Sequence, residues 1–488
     1  MYDPGDTTLL SSVVLRLVAA VIFLINTELY MAIVLYSPAI ALAGVSGVPT
    51  WPFILAIGTL CTIYTTIGGL KAVVWTDTLQ AFFMYLGVTV MIVKGVIDSG
   101  GIERVWNIAK DSGRFDSLTI VDPNPFLYNS IWGSTFGAFA LWMSLYGLNQ
   151  MAVQRYCSLP TLNKSRMVIG ITIPFFMILG STACFIGIVM LAYFYDDCDP
   201  LDTKEYTKDQ LVIVFAAKTL RSIPGFPGLF LACLFSSTLS TVSSGINSQA
   251  AVVWEDFVRR KWGHRMTELQ SALLNKIFVV VFGVTATALA FLAEPAGGIV
   301  AAAFTVIGAI GGQLVGLFFL GVFIPRANKW GAAAGLILAA IMVTTIAIGS
   351  LITKPYVNYR LPANETCYNT TGHDTSPWKD GRHPDALYGD PDTFIIFKFS
   401  SYYLPLLGIL TVMIVGTIVS ILIPDKELET MSELEKKKRS ELTFIGYMRS
   451  SDDEPMGYLD GSNEFEMKPK QRRNKDGTTG NPAFNLGQ

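Results

Sequence analysis

Apolar runs of about 17–25 residues alternate with short polar stretches from residue 14 to residue 423. A run of that length closes all its backbone hydrogen bonds within itself and matches the hydrocarbon thickness, so each reads as one membrane-crossing helix. The pattern predicts about ten spans, at 14–42, 51–70, 74–97, 131–150, 168–194, 227–253, 277–292, 299–323, 331–351 and 402–423. The seventh is short, and Leu273 and Leu274 lengthen it if Lys276 extends its amine to the interface.

Loop charge sets the orientation. Alternate loops are basic: Arg155, Lys164 and Arg166; Arg259, Arg260, Lys261 and Arg265; Arg326 and Lys329; then Lys436, Lys437, Lys438 and Arg439. The intervening loops are mixed or acidic, with Asp196, Asp197, Asp199, Asp202 and Glu205 together. By the positive-inside rule both termini face the cytoplasm. The stretches near 98–130, 195–225 and 352–400 then lie outside the cell. The last holds the sequons at Asn364 and Asn369, expected to carry glycans, whereas the cytoplasmic sequon at Asn163 stays bare. Cys198 and Cys367 are the two external cysteines and are close enough in kind to bridge, with free thiols the alternative. Residues 1–424 form the transmembrane domain, and 425–488 read as a polar, mostly disordered cytoplasmic tail with a short helix near 426–442.

Composition agrees. Only 15% of the 488 residues are charged and 51% are hydrophobic, against about 25% charged in a soluble protein. Six cysteines without a CxxC or Cys/His cluster exclude a disulfide scaffold and point to neither zinc nor redox chemistry. No nucleic-acid motif, phosphate-cradling loop, Ser/His/Asp set or pair of intramembrane carboxylates is present, so neither a nucleic-acid partner nor an enzyme is expected.

The sixth span is the most unusual. Within it Ser236, Ser237, Thr238, Ser240, Thr241, Ser243 and Ser244 crowd nine positions. An unpartnered hydroxyl in hydrocarbon is costly, so these either bond back to a carbonyl one turn earlier or face a polar cavity. At about 100° per residue Ser237, Ser240, Thr241 and Ser244 share one face, a set of oxygens suited to a hard monovalent cation. At the mouth of the third span, Asp77 either caps the helix, pairs with Lys71 or Arg155, or holds a cation with Gln80 one turn on. In the fourth span Tyr146, Asn149 and Gln150 fall at i, i+3 and i+4, facing either a neighbouring helix or a substrate. Pro174 and the series Gly308, Gly311, Gly312 and Gly316 allow bends and close helix approach.

GGLKAVVWTDTLQ, YGLNQMAVQRY, PGFPGLFLACLFSSTLSTVSSGINSQAAVVWEDF and FLGVFIPRANKWGAAAGL together resemble the sodium/solute symporter family, in the branch of the monocarboxylate, iodide and multivitamin symporters. The likeness covers nearly all of residues 9–423. It implies an all-α inverted-repeat transporter fold, with sodium and substrate near the midplane beside discontinuous helices. On that resemblance Ser240 and Thr241, with Ser237 a turn earlier, hold sodium; Asp77 and Gln80 form a second cation site; and Tyr146, Asn149 and Gln150 line the substrate cavity. AAAFTVIGAI stands where sugar-carrying relatives have a glutamine, which suits a small, partly apolar organic anion. The family has about thirteen helices, so this sequence is expected to begin near the fourth, with the broken second helix outside it. Sodium-coupled uptake of an organic anion at the plasma membrane is the implied function. The alternative is a truncated, non-transporting membrane protein that associates with full-length transporters or senses ligand.

Overall fold

A computed structural model describes residues 13–112, 114–115, 120–127, 130–195, 208–221, 223–292, 299–355 and 390–424. The sequons at Asn364 and Asn369, the cysteines Cys198 and Cys367, and the tail from residue 425 lie outside them. The described residues form helices and turns: α1 (Val13–Ser46), α2 (Thr50–Asp98), α3 (Ile102–Asp111), α4 (Ala138–Trp142), α5 (Gln150–Cys157), α6 (Leu162–Tyr193), α7 (Leu211–Leu220), α8 (Phe226–Val252), α9 (Arg259–Trp262), α10 (Glu268–Ala290), α11 (Ile299–Phe323), α12 (Lys329–Thr353) and α13 (Leu404–Leu422). Among them, 9 stretches are long and apolar enough to cross a membrane. The helix of the seventh span starts at Glu268, so Leu273, Leu274 and Lys276 are helical.

Two of the nine lie in α2, whose 49 residues keep helical hydrogen bonding throughout. Tyr64 of α2 donates its hydroxyl to Leu239 O at 3.0 Å, and a Cβ at Gly87 would stand 2.7 Å from Cys233 Cβ. On a straight helix Tyr64 and Gly87 would be roughly 35 Å apart, whereas their partners on α8 are separated by only about 9 Å of rise. The helix therefore bends sharply between them, and the spans Thr50–Gly68 and Val73–Asp98 both pack on α8.

Small residues set the helix spacing, as expected where lipid removes any hydrophobic drive between helices. Gly58 and Thr62 of α2 oppose Thr287 and Gly283 of α10 in a reciprocal arrangement. A Cβ on either glycine would lie 2.1 Å from the facing threonine hydroxyl. Both threonines bond back to their own glycine's carbonyl at 2.7 Å, which hides the hydroxyl from lipid. The glycine series of α11 works as the sequence indicates. Gly308 and Gly312 receive Pro405, Gly311 receives Ser144, and Gly316 receives Ile409 and Val412.

One expectation needs correction, and two stretches between spans hold short helices. The fourth span is no single helix: π turns Gly133–Gly137 and Met143–Gly147 flank α4, and the chain breaks at Leu148 and Asn149 before α5. Between spans, within the stretch 195–225, α7 buries Ile213, Phe215, Ala216 and Leu220. At 10 residues it is too short to span, so a length criterion passes over it. Residues 98–130 likewise contain α3, which puts Val105, Ile108 and Ala109 into the core.

Candidate functional site

The hydroxyls of α8 separate into two groups. Ser236, Thr238, Ser243 and Ser244 are buried, and Thr238 donates to Val34 O of α1 at 3.4 Å. By contrast Ser237 is exposed and Ser240 and Thr241 are half-buried, so the face picked out by spacing is the open one for these three, while Ser244 is covered. Thr241 donates to Ser237 O at 3.0 Å, and Ser244 to Ser240 O at 2.7 Å. Back-bonding uses only the hydroxyl hydrogen. Each oxygen keeps lone pairs free to accept or to coordinate a cation.

Asp77 faces α8 from the second arm of α2. Its Oδ2 pairs with Arg155 of α5 at 2.5 Å, and the same guanidinium nitrogen reaches the Ser244 hydroxyl. Of the alternatives the sequence leaves open for Asp77, an Arg155 partner is present. Ser240 lies beside this carboxylate, yet Asp77 Oδ1 makes no hydrogen bond, nor does the buried Oε1 of Gln80. Two buried acceptors one turn apart and unpaired are unusual in a native interior, where such groups nearly always find a donor. Arg155 thus supplies a tethered positive charge next to oxygens from Asp77, Ser240 and Ser244.

Tyr146, Asn149 and Gln150 do not share the continuous helical face their spacing suggests. Tyr146 ends in a π turn, with its ring 5.8 Å from Trp142 and 5.4 Å from Phe176. Asn149 is extended (φ −72°, ψ 134°), and its side chain caps α5 by accepting from Met151 N at 2.9 Å. The cap explains the amide without a substrate. Asn149→Ala should therefore cost about 1 kcal/mol, whereas Asn149→Asp keeps the cap and costs only a few tenths. If the side-chain NH2 instead holds an anion, Asn149→Asp would abolish uptake at unchanged thermal stability, and that pair of measurements separates the two roles.

One intramembrane group is not among the residues that motif and spacing single out. Glu28 sits at the middle of α1, 9% exposed, and accepts from Thr285 of α10 at 2.8 Å. Its signal is nevertheless present in the sequence as a lone carboxylate in an apolar span. The acidic pair after α8 is structural in part: Asp256 meets Arg16 of α1 at 3.0 Å, and Glu255 meets Arg259 at 2.8 Å.

The sequence pattern described as the sodium:solute symporter family matches residues 9–339. A sodium-dependent multivitamin transporter of Oryctolagus cuniculus is 39% identical over 341 residues, 70% of this chain and 53% of that protein. Sodium-coupled monocarboxylate transporter 1 of Homo sapiens is 33% identical over 487 residues, 96% of this chain and 76% of that protein. The chain thus spans about half the length of the first relative and three quarters of the second. A substrate-bound, outward-open Na+-coupled sialic acid symporter superposes with a TM-score of 0.62 at 20% identity, over 84% of this chain and 75% of that one, which is a likeness of fold.

Proposed function

Because the chain belongs to the sodium:solute symporter family, we propose that it carries a small organic anion, a monocarboxylate or vitamin-like acid, across the plasma membrane together with sodium. The observation behind this reading is the open hydroxyl face Ser237, Ser240 and Thr241 on α8, standing beside the Asp77–Arg155 pair. Sodium binds oxygens, and on this reading those three hydroxyls supply part of its shell. Asp77 and Gln80 form the second cation locus, where Arg155 holds the charge in this arrangement. Tyr146, Asn149 and Gln150 border the substrate path. The relatives' names, monocarboxylate and multivitamin transporters, support an anion of that class.

Coupling needs no chemistry on the substrate. A sodium ion moving inward through about 100 mV releases roughly 2.3 kcal/mol per charge. Its binding favours the conformation that accepts the anion, and the two ligands share one differential affinity.

The exposure of Ser237 favours a second reading, in which the chain moves no solute alone and associates with a full-length transporter or senses ligand. Uptake of labelled butyrate and biotin into cells expressing the chain, in sodium against choline, decides between them. Sodium-dependent uptake above untransfected cells supports symport; equal uptake in both media rejects it.

The orientation carries its own prediction. With both termini cytoplasmic, glycosidase treatment should shift the wild-type band and leave Asn364→Gln/Asn369→Gln unshifted, while Asn163→Gln changes nothing. A glycan on Asn163 would invert the topology.

A further inference from the structure

The polar run Asn26-Thr27-Glu28 breaks the apolar sequence of α1 near its centre, with Glu28 roughly 22 Å of helix from one end and roughly 27 Å from the other. Glu28 Oε1 accepts from Thr285, and its Oε2 has no hydrogen-bond partner. Gln249 of α8, fully buried, gives its Nε2 to Leu24 O at 3.2 Å and stands near the Glu28 carboxyl, while its Oε1 is unpartnered. Thr27, 2% exposed, also has an unpartnered hydroxyl. Asn26 lies toward Gly311 of α11 and belongs to another contact. Thr285 is exposed, so the cluster extends to the surface of the helix bundle at α10.

No basic side chain answers this carboxyl among the described residues. Arg16 pairs with Asp256 near one end of α1. Tyr30 and Tyr36 are the other titratable groups near Glu28 on α1. Facing elements offer Cys61, Tyr64 and Asp77 on α2, Lys218 on α7, Cys233 on α8, and Glu268 and Lys276 in the first turns of α10. No ion pair joins Glu28 to any of them among the described residues, and its polar neighbours are Thr285 and Gln249. An uncompensated carboxylate at this depth costs several kcal/mol, and a buried unpaired acceptor adds to that. One small cation held in this cluster removes both costs, because it neutralises the carboxyl and offers its unpartnered oxygens a partner.

We propose that Glu28, Gln249 and Thr285 form a binding site for one small monovalent cation, a sodium ion or a proton, separate from the hydroxyl face of α8. Gln249 lies two turns beyond Thr241, about 12 Å along α8. The site thus stands whether or not Ser240 and Thr241 hold sodium.

Carbodiimide modification tests this, since the reagent attacks a protonated carboxyl in an apolar setting and a bound ion protects it. The full chain in lipid nanodiscs would be treated with dicyclohexylcarbodiimide, and adducts on the Glu28 peptide quantified by mass spectrometry. Replacing choline with sodium should slow modification about tenfold or more if sodium is the occupant. If the occupant is a proton, raising the pH should slow it by that factor and sodium should do nothing. Gln249→Leu should shift the sodium concentration that half-protects about tenfold or, if the occupant is a proton, the pH of half-maximal modification by about one unit, the scale of one lost oxygen partner. Thermal midpoints of Glu28→Gln give a second measure, expected to match or exceed wild type in choline and to lose the part of the sodium or pH response that survives in Thr241→Ala. A modification rate indifferent to both sodium and pH, including no modification at all, overturns the site. So does a response that vanishes in Thr241→Ala, which would assign it to the α8 face.

Discussion

Arg155→Ala is expected to lower the unfolding midpoint in sodium-free buffer far more than Asp77→Asn does, and sodium should restore much of the loss. The asymmetry follows from exposure. The Asp77 side chain is 14% exposed and the Arg155 side chain 40%. Without Asp77 the guanidinium can turn to water while keeping Ser244, at a cost of about 1–2 kcal/mol. Without Arg155 the carboxylate stays in a largely dry site with Oδ1 already unpaired, which costs on the order of 3–5 kcal/mol. A free cation that occupies the vacated place stabilises the folded chain by RT ln(1 + [L]/Kd), about 2.7 kcal/mol at a hundred times Kd. Midpoints of wild type, both single variants and the double variant, each in sodium and in choline, give the result. An Arg155→Ala midpoint equal in both salts would mean the pair is a structural ion pair and Asp77 holds no cation.

The spans were legible because a bilayer imposes a length. Twenty or so apolar residues admit little but a helix, so 168–194 and 331–351 fall within α6 and α12, give or take a residue at one end. The hydroxyl face of α8 was legible for a related reason. One helix contains it, and 100° per residue fixes which side chains coincide.

What escaped depends on partners distant in sequence. The break at Leu148 and Asn149 comes from π turns and a cap, and the apolar run across them gives no warning. Likewise α7 is held by Tyr193 and Phe194 packing on Phe215, contacts that no window of 10 residues contains. For Asp77, sequence offered Lys71 and Arg155 on equal terms, and only the fold brings α5 across 78 residues of chain to α2. Glu28 needed no fold to be noticed; a hydropathy window averages one carboxylate away.

Thr241→Ala and Ser240→Ala should each raise the sodium concentration giving half-maximal effect roughly 5- to 100-fold, equivalent to about 1–3 kcal/mol for one neutral oxygen lost from a desolvated site. Either sodium-dependent stabilisation of the purified chain or sodium-dependent uptake reads it. Controls come from the geometry. Thr241→Ser keeps the hydroxyl and should be mild. Ser243 is fully buried and donates to Ser240 O at 3.2 Å on the covered side, so Ser243→Ala should change stability slightly and leave the sodium curve in place. The competing account rests on a fact already in the structure, since Thr241 bonds back to Ser237 O. If that bond is the whole role of the hydroxyl, its loss costs some stability and sodium dependence is untouched. A Thr241→Ala protein that folds and keeps the wild-type sodium midpoint would therefore remove the ion from this helix. Ser240 carries the sharper consequence because it stands between the two loci, on the open face with Thr241 and beside Asp77. Ser240→Ala should accordingly also weaken the sodium recovery of Arg155→Ala, whereas Thr241→Ala should leave that recovery intact.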